Sequence, residues 1–275
     1  MWRRHRHLPG QITPNRLQGK TRRASLQRMG ILAGKTAIVT GGGSGFGAGI
    51  ARAFAAAGAR VLVADIDADA ARAIAQEVDG FHTVTDVAIN ASVAQLAYDA
   101  SDVFGHIDIL VNNAGTTHLP APMEEVTEAE FDRVLTVNAK SVYLTARHFV
   151  PAMKARRAGA ILNIASTAGV SPRPNLNWYN ASKGWMITAT KAMAIELAPY
   201  GVRVNALNPV AGDTPLLPSF MGGDTPELRA KFLATIPMGR FSTPSDLGAA
   251  ATFLCSDAAG LITGTALEID GGRCI

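Results

Sequence analysis

TGGGSGFG, residues 40–47, is the stretch that decides the fold. Five of its eight residues are glycine. They follow a short apolar run over residues 36–39 and precede an alanine-rich segment. Glycine at this density lets a turn bend sharply and bring its backbone close to another group. Because the turn would join a strand to a helix, the free N–H groups of the helix N-terminus favour an anion. We therefore expect a phosphate-binding turn, although glycine-rich turns without any ligand also occur.

The residues after the last glycine decide which phosphate is favoured. A nucleoside-triphosphate loop needs Lys and then Ser or Thr at that point. Here Gly47 is followed by Ala48 and Gly49, so that class of site is excluded. The spacing Gly43-x-Gly45-x-x-Ala48 matches the looser dinucleotide-binding pattern instead, which is a weak signal on its own.

An acidic residue at the end of the next apolar run strengthens the dinucleotide interpretation. Asp65 lies 24 residues after Gly41, and a carboxylate at that place can accept hydrogen bonds from the adenosine ribose. It would repel a 2′-phosphate, and neither Lys nor Arg flanks it or stands in the glycine turn. The sequence therefore predicts NAD rather than NADP. The alternatives are that Asp65 only ends a strand and that Asp67 caps the following helix.

From residue 35 onward, short β-branched runs alternate with segments long enough for helices. Seven such runs occur, at residues 36–40, 60–65, 81–86, 107–113, 160–166, 202–208 and 266–270. They are mostly apolar rather than alternating, as expected of strands covered on both faces. We predict an α/β fold over residues 31–275, a single domain with a doubly wound, parallel, seven-stranded sheet and helices on both faces. Residues 209–242 break the rhythm and predict a lid or binding loop.

The charge of the chain is concentrated at its start. Residues 1–28 contain eight of the 26 Lys and Arg residues and no acid, which leaves 18 basic against 22 acidic residues in the remainder. A basic, poorly ordered extension over residues 1–30 is favoured over a nucleic-acid arm or a transit peptide. No apolar run reaches membrane-spanning length. Two cysteines without metal-ligand spacing predict no metal site and a cytoplasmic location.

The segment NWYNASKG, residues 177–184, carries the sharpest chemical signal. Tyr179 and Lys183 would share one face of a helix, where an ammonium group could lower the pKa of the phenol from about 10 and make it a usable acid or base. Ser166 ends the run AILNIAS, where it could hold a substrate oxygen or simply cap a turn. Asn138 stands in an otherwise helical stretch, which predicts a kink or a buried water site and suits a proton relay towards Lys183.

With these features in place, residues 31–275 resemble the short-chain dehydrogenase/reductase family. The matching motifs are the glycine turn, Asp86, NNAG (112–115), Asn138, Ser166, the Tyr179–Lys183 pair, Asn208-Pro209 and DGG (270–272). The resemblance implies a Rossmann-like domain, a homotetramer, hydride transfer with NAD, and Asn138, Ser166, Tyr179 and Lys183 as catalytic residues. It also implies a cofactor site made of Gly41, Ser44, Gly45, Phe46, Gly47, Asp65, Asp86, Val87, Asn113, Ala114, Gly115, Tyr179, Lys183, Pro209 and Thr214.

The resemblance leaves the substrate open. Val210 stands where the family usually has glycine, which puts the local contacts of the lid in doubt. Several stretches are similar to a subgroup that includes 4-formylbenzenesulfonate dehydrogenases, in which His118 would line the pocket unless it is simply solvated. Leu216, Leu217, Phe220 and Met221 would close over an apolar or aromatic alcohol or carbonyl compound, or would be ordinary packing residues. A 3-oxoacyl-thioester reductase and a non-catalytic NAD-binding regulator are the alternative functions.

Overall fold

The structure is a computed structural model that describes residues 30–275. The basic extension was predicted for residues 1–30, and residues 1–29 of it lie outside the described residues. Over the described part of the chain, seven parallel strands form one sheet in the order β3-β2-β1-β4-β5-β6-β7. This arrangement confirms the predicted doubly wound α/β fold.

The elements alternate along the chain as the apolar runs predict. The strands are β1 (Thr36–Thr40), β2 (Arg60–Asp65), β3 (Phe81–Val84), β4 (Ile109–Asn112), β5 (Gly159–Ile164), β6 (Val202–Pro209) and β7 (Ala266–Ile269). The helices are α1 (Gly45–Ala56), α2 (Ala68–Glu77), α3 (Asn90–Phe104), α4 (Glu128–Leu135), α5 (Ser141–Arg156), α6 (Asn177–Leu197), α7 (Leu217–Met221), α8 (Pro226–Leu233) and α9 (Pro244–Cys255). Among residues 30–275, no helix is both long and apolar enough to cross a membrane.

Both faces of the sheet are buried, which explains why the strands read as continuous apolar runs. In β1, Val39 faces a cluster built with α1 and α9, whereas the adjacent Ile38 faces a second cluster built with α3, α5 and α6. Side chains alternate across a strand, so β1, β2, β4, β5 and β6 each supply residues to both clusters. Each fully buried aliphatic or phenylalanine side chain contributes about 1.5–3 kcal/mol. The sheet is therefore held rigid beneath the loops at its carboxyl edge.

The strand order reverses direction between β1 and β4, and this point locates the ligand crevice. The chain winds outward from β1 to β3 and then crosses back to place β4 on the other side of β1. The loops that follow β1 and β4 therefore diverge to opposite sides and leave a crevice at the carboxyl ends of the strands. The glycine turn follows β1 and the NNAG motif overlaps the end of β4, so both predicted motifs lie at this crevice.

The segment predicted as a lid, residues 209–242, lies between β6 and α9. It contains the two short helices α7 and α8 and has an apolar cluster of its own, formed by Val210, Leu217, Met221, Ile236 and Phe241. The segment is thus a small folded layer rather than an open loop. The side chain of Val210, the residue that departs from the family pattern, is buried inside this cluster.

Candidate active site

The glycine turn is shaped by close backbone contacts. Gly41 has a φ of +61°, and a Cβ atom at this position would lie 2.8 Å from the Cα atom of Ala114. A Cβ atom at Gly47 would collide with the carbonyl oxygen of Gly41. Ser44 is the N-cap residue of α1 but its side chain makes no capping hydrogen bond, so the first N–H groups of the helix stay free of side-chain caps. This is the backbone geometry that a phosphate group requires.

Asp65 lies at the end of β2 and faces the same crevice. Its Oδ2 atom accepts a hydrogen bond of 2.8 Å from Gly43 N, and its Oδ1 atom accepts one of 3.0 Å from Asp67 N. Asp67 is the helix-capping residue here, because its carboxylate accepts from the backbone N–H groups of Asp69 and Ala70. Asp65 therefore has no capping role, and its carboxylate lines the cavity beside the exposed side chain of Ile66.

The NNAG motif fastens β4 to β1 at the switch point. The Asn113 side chain donates hydrogen bonds of 2.9 Å to the carbonyl oxygens of Thr40 and Gly41. The Thr40 hydroxyl accepts hydrogen bonds from the backbone N–H groups of Asn113 and Ala114. These contacts fix the glycine turn against the loop after β4. Gly115, the last residue of the motif, lines the cavity and lies close to Lys183 Nζ.

Asn138 produces the helix irregularity that its position predicts. It lies in a π-helical turn, Thr136–Lys140, between α4 and α5, and is fully buried. Its Oδ1 atom accepts from Thr116 N at 2.8 Å, and its Nδ2 atom donates to Thr116 O at 2.9 Å and to Ser182 Oγ at 3.0 Å. The predicted irregularity takes the form of this π-helical turn, but within the described residues the Asn138 side chain forms no hydrogen bond to Lys183. The proton relay stays a prediction.

Ser166, Tyr179 and Lys183 converge on the cavity from two elements. Ser166 follows β5, and the two other residues lie one turn apart on α6. All three side chains are buried and line the same space. The Lys183 Nζ atom donates a hydrogen bond of 2.8 Å to Ile164 O and lies 5.8 Å from the centroid of the Tyr179 ring. Ser166 Oγ also accepts from Ala168 N, so it caps a turn as well as facing the cavity.

The electrostatics of the pair differ from the sequence-based expectation. Burial raises the pKa of Tyr179 to about 12, opposed by a hydrogen-bonding interaction with Ser166 and by the positive charge of Arg173. Burial also lowers the pKa of Lys183 to about 8. In the cofactor-free protein the pKa of Tyr179 is therefore raised, because desolvation of the phenolate dominates, and the cation that opposes this effect is Arg173. The influence of Lys183 on the phenol with the cofactor bound stays a prediction.

The cavity has a volume of about 500 Å³ and unites most of the predicted residues. Of the predicted catalytic and cofactor-binding residues, only Gly47 and Asn138 do not line it; Gly47 lies beneath the glycine turn and Asn138 lies behind Thr116. Asp65 lines the cavity together with Asp86 and Val87. The backbone N–H of Thr85 donates a hydrogen bond of 2.8 Å to Asp65 O, which joins the segment before Asp86 to the end of β2. Asp86 itself accepts from Ala88 N at 2.9 Å.

The lid contributes two kinds of side chain. Leu216 and Phe220 line the cavity, whereas Leu217 and Met221 are packed in the lid's own apolar cluster. The Phe220 ring lies 5.0 Å from that of Tyr179. Both Pro209 and Thr214 line the cavity, and Thr214 also packs close to Gly45 at the start of α1. Residues 209–242 thus contact both the glycine turn and the segment that carries Tyr179.

Sequence reasoning missed the two arginines that line the cavity and misjudged His118. Arg173, in the loop before α6, and Arg273, near the carboxyl end of the chain, both line the cavity. Neither belongs to a spacing pattern, and 100 residues separate them, so no signal in the sequence joins them. His118 is not solvated: its ring is buried, its Nδ1 atom is hydrogen-bonded to Leu119 O at 2.8 Å, and it does not line the cavity.

Comparison with known proteins places this geometry in a family. A family model described as Enoyl-(Acyl carrier protein) reductase matches residues 41–273. The chain is 48% identical over 257 residues to 4-formylbenzenesulfonate dehydrogenase TsaC1/TsaC2 of Comamonas testosteroni, which covers 87% of this chain and 97% of that protein. It is 36% identical over 245 residues to 2-dehydro-3-deoxy-L-rhamnonate dehydrogenase (NAD(+)) of Sphingomonas sp. (strain SKA58), covering 89% of this chain and 97% of that one.

A solved structure has the same fold over most of the chain. The 3-ketoacyl-(acyl-carrier-protein) reductase from Brucella melitensis, complexed with NADH, aligns with a TM-score of 0.84 and 49% sequence identity. The alignment covers 89% of this chain and all of that one. Among residues 30–275, no three His, Cys, Asp or Glu side chains are grouped so as to hold a metal ion.

Proposed function

This chain belongs to the short-chain dehydrogenase/reductase family and is an NAD-dependent oxidoreductase that interconverts alcohols and carbonyl compounds; from that premise we propose that Tyr179 is its general acid and base. The observation that supports this most directly is the position of the phenol, which is buried, lines the cavity and interacts with Ser166. We further propose that residues 31–275 act as one catalytic domain with residues 209–242 as its lid.

The residues present fit a dinucleotide. The free N–H groups of α1 would hold the pyrophosphate, and the carboxylate of Asp65 would accept hydrogen bonds from the adenosine ribose. Asp86 and Val87 would flank the adenine, and Lys183 would hold the second ribose. Asn113, Pro209 and Thr214, which line the same cavity, would complete the site. Bound NAD supplies the hydride acceptor or donor for the reaction.

The protein's own chemistry is proton transfer and positioning. A phenol whose pKa is raised to about 12 is protonated at neutral pH, so Tyr179 can donate a proton to a carbonyl oxygen during reduction. Ser166 Oγ would hold that oxygen beside the phenol. The lid, through Phe220, would exclude water from the site. Asn138 would act indirectly, because Ser182 joins its amide to the Tyr179 carbonyl through hydrogen bonds of 3.0 and 2.7 Å.

Substitution of the phenol by a ring without a hydroxyl tests this assignment. Tyr179→Phe keeps the contact with Phe220 but removes the proton, and we expect kcat to fall by about 10²–10⁴-fold for aldehydes and ketones. Affinity for NADH, measured by fluorescence titration, should change far less than kcat, because the aromatic ring stays in place. Tyr98→Phe is the matched control because Tyr98 is exposed on α3 and lies outside the cavity. Undiminished turnover by Tyr179→Phe would refute the assignment.

We propose that the substrate is a small compound with an apolar or aromatic body. Phe220, Phe232, Leu216 and Ile236 all line the cavity and offer such a body a matching surface. The relative named for 4-formylbenzenesulfonate, which is an aromatic aldehyde, supports the same class. A panel of aromatic aldehydes against aliphatic ketones of equal size, assayed by NADH oxidation, tests it. Equal kcat/KM values across the panel would contradict it.

A second candidate is reduction of a 3-oxoacyl thioester, which the name of the Brucella structure favours. The two functions differ in what must enter the cavity, because a carrier-bound thioester requires an open path for a long arm. Assays with an acetoacetyl thioester and an aromatic aldehyde under the same conditions would separate them. A kcat/KM for the thioester that exceeds the value for the aldehyde would replace the first proposal by the second.

We propose that the protein is a homotetramer in the cytoplasm. Two pairs of exposed apolar side chains support the assembly: Phe253 and Leu267 on α9 and the edge strand β7, and Tyr143 and Trp185 on α5 and α6. Two self-complementary surfaces on one chain build a closed tetramer. Cys255 and Cys274 are free thiols, which suits a reducing compartment. Light scattering should give four times the 28.8 kDa chain mass.

A further inference from the structure

We propose that Arg173 and Arg273 bind an anionic group of the substrate, a carboxylate or a sulfonate, at the end of the cavity next to Tyr179. The inference rests on the proposed function and adds to it the chemical class of the substrate. The reacting oxygen would lie at Tyr179, the body of the molecule beside Phe220, and the anion between the two guanidinium groups. All four residues line the one cavity.

The first observation is that neither arginine is paired with an acid. Across residues 30–275, five other arginines form ion pairs with carboxylates: Arg52, Arg72, Arg156, Arg229 and Arg240. Over the same residues Arg173 and Arg273 have no such partner, although both face a cavity. A guanidinium group carries five N–H donors, and no side-chain hydrogen bond of Arg173 to the protein is present in the described part of the chain. Its donors are therefore free to meet a ligand.

The second observation is that the two charges are held together at a cost. Burial lowers the pKa of Arg173 from its usual value, and the like charge of Arg273 lowers it further. Two cations that repel each other while partly removed from water favour an anion between them. Since an arginine fork matches the two oxygens of a carboxylate or sulfonate, each guanidinium can bind the group through paired hydrogen bonds.

The third observation is that both side chains are anchored to the lid. The Arg173 guanidinium lies 4.5 Å from the centroid of the Phe232 ring, and Arg273 Nη1 donates a hydrogen bond to Thr235 Oγ1. Thr235 in turn donates a hydrogen bond of 2.7 Å to Phe232 O. Asp270 fixes the chain around Arg273 by accepting from Cys274 N at 2.8 Å. The two cations are thus preorganised on one side of the cavity.

The position of the pair separates it from the predicted adenosine site. Arg173 lies close enough to Tyr179 to lower the pKa of the phenol, whereas Asp65 is hydrogen-bonded to Gly43 in the glycine turn. One end of the cavity therefore carries carboxylates and the other carries guanidinium groups. A 2′-phosphate on the adenosine ribose would meet Asp65 and not the arginines. The anion that the arginines fit belongs to the substrate.

A matched pair of aldehydes tests the inference. 4-Formylbenzoate and 4-formylbenzamide have nearly the same size but differ in charge. We expect kcat/KM of the wild-type protein with NADH to be at least about tenfold higher for the benzoate, and Arg173→Gln and Arg273→Gln each to lower only that value, by about 10–100-fold. Arg173→Lys should recover part of it. The corresponding sulfonate, run in parallel, shows which anion fits better.

Lys231→Gln is the control for general electrostatic attraction. Lys231 is exposed on α8 and does not line the cavity, so the variant removes a positive charge outside the proposed site. It should leave the benzoate-to-benzamide ratio unchanged. A wild-type ratio near one, or an equal loss for both aldehydes in Arg173→Gln, would overturn the inference.

A binding measurement keeps the inference distinct from the proposed function. Calorimetric titration of the protein–NADH complex with unsubstituted benzoate and benzamide, neither of which carries an aldehyde group, measures binding without turnover. Benzoate binding that Arg173→Gln abolishes supports the anion site even if both aldehydes prove to be poor substrates, and equal affinities for benzoate and benzamide refute it. The proposed function fails separately, if turnover of the neutral aldehyde is unaffected by Tyr179→Phe.

Discussion

The carbonyl oxygen of Arg173 accepts a hydrogen bond of 2.7 Å from the side-chain Nδ2 atom of Asn180. Asn180 follows Tyr179 on α6 and is buried, and its Oδ1 atom has no partner among the described residues. The residue beside the phenol therefore holds the loop that carries the first arginine. Through this contact the proposed acid and the proposed anion site are positioned by one turn of one helix.

Loss of this contact should weaken recognition of the substrate more than the chemical step. In Asn180→Ala the Arg173 carbonyl loses its donor, and we expect KM for 4-formylbenzoate to rise by about tenfold. The KM for the neutral benzamide should change by less than about threefold, because the hydrogen bond acts on the arginine loop. Steady-state kinetics with both aldehydes give the comparison.

Asn177→Ala supplies the matched control for that variant. Asn177 lies in the first turn of the same helix, but it is exposed and its side chain contacts Met123 rather than the arginine loop. Its KM values should match those of the wild type. If both asparagine variants raise the two KM values equally, the effect comes from the stability of α6 and not from the position of Arg173.

The phenol of Tyr179 should ionise only at high pH in the cofactor-free protein. Because burial raises its pKa to about 12, the native state keeps the proton well above the usual range of tyrosine. The difference between wild type and Tyr179→Phe in tyrosinate absorbance, measured from pH 7 to 12, isolates this one group. We expect little difference below about pH 11.

Adding NAD⁺ should lower that pKa, because the oxidised nicotinamide carries a positive charge, whereas adding NADH should not. Arg173→Gln should raise it further, since Arg173 is a cation that opposes the effect of burial. A Tyr179 signal that develops near neutral pH in the cofactor-free protein would contradict the structure and restore the sequence-based expectation for Lys183.

The sequence predicted those features that depend on neighbours along the chain. Three of these features are local patterns: the glycine turn, Asp65 at a strand end, and the four-residue spacing of Tyr179 and Lys183. Because each lies at or near the carboxyl end of a buried strand, the fold brings them to one edge of the sheet. The helix irregularity at Asn138 could also be predicted from the sequence, because asparagine is unfavourable in a helix interior.

The features that escaped prediction depend on the folded environment. Arg173 and Arg273 meet only because the loop before α6 and the end of the chain both reach the lid. The direction of the Tyr179 pKa depends on how far the ring is desolvated, which spacing alone does not report. The burial of His118 has the same origin, because an isolated histidine after a strand carries no sign of how far the fold will bury it.

The preference for NADH over NADPH should depend on the charge of Asp65. Asp65→Asn keeps an oxygen that can accept from Gly43 N but removes the repulsion of a 2′-phosphate. Since like charges placed together cost several kcal/mol, we expect the ratio of kcat/KM for NADH to that for NADPH to fall by more than about tenfold. Adding Ile66→Arg, at a neighbouring exposed position that lines the cavity, should shift the ratio further towards NADPH.

Asp69→Asn is the control for the cofactor experiment. Asp69 lies in the first turn of α2, is exposed and pairs with Arg72 outside the cavity. Removing its charge should leave the cofactor ratio as it is in the wild type. A preference for NADPH in the wild-type protein would refute the role assigned to Asp65.

Lys183 should make the stability of the cofactor-free protein depend on pH. Its pKa is about 8 in the native state against 10.5 as the ordinary value, so between these limits the unfolded chain binds more protons and stability rises with pH. Below pH 8 the cost of burying the charge is fully present. The free energy of unfolding of the wild type, relative to Lys183→Met, should therefore increase by about 2 kcal/mol from pH 7 to pH 9.5. Urea denaturation at these two pH values measures the change.

Lys231→Met, at an exposed site on α8, is the control: its free energy of unfolding should differ from that of the wild type by the same amount at both pH values. The same constancy for Lys183→Met would mean that the buried ammonium keeps its ordinary pKa.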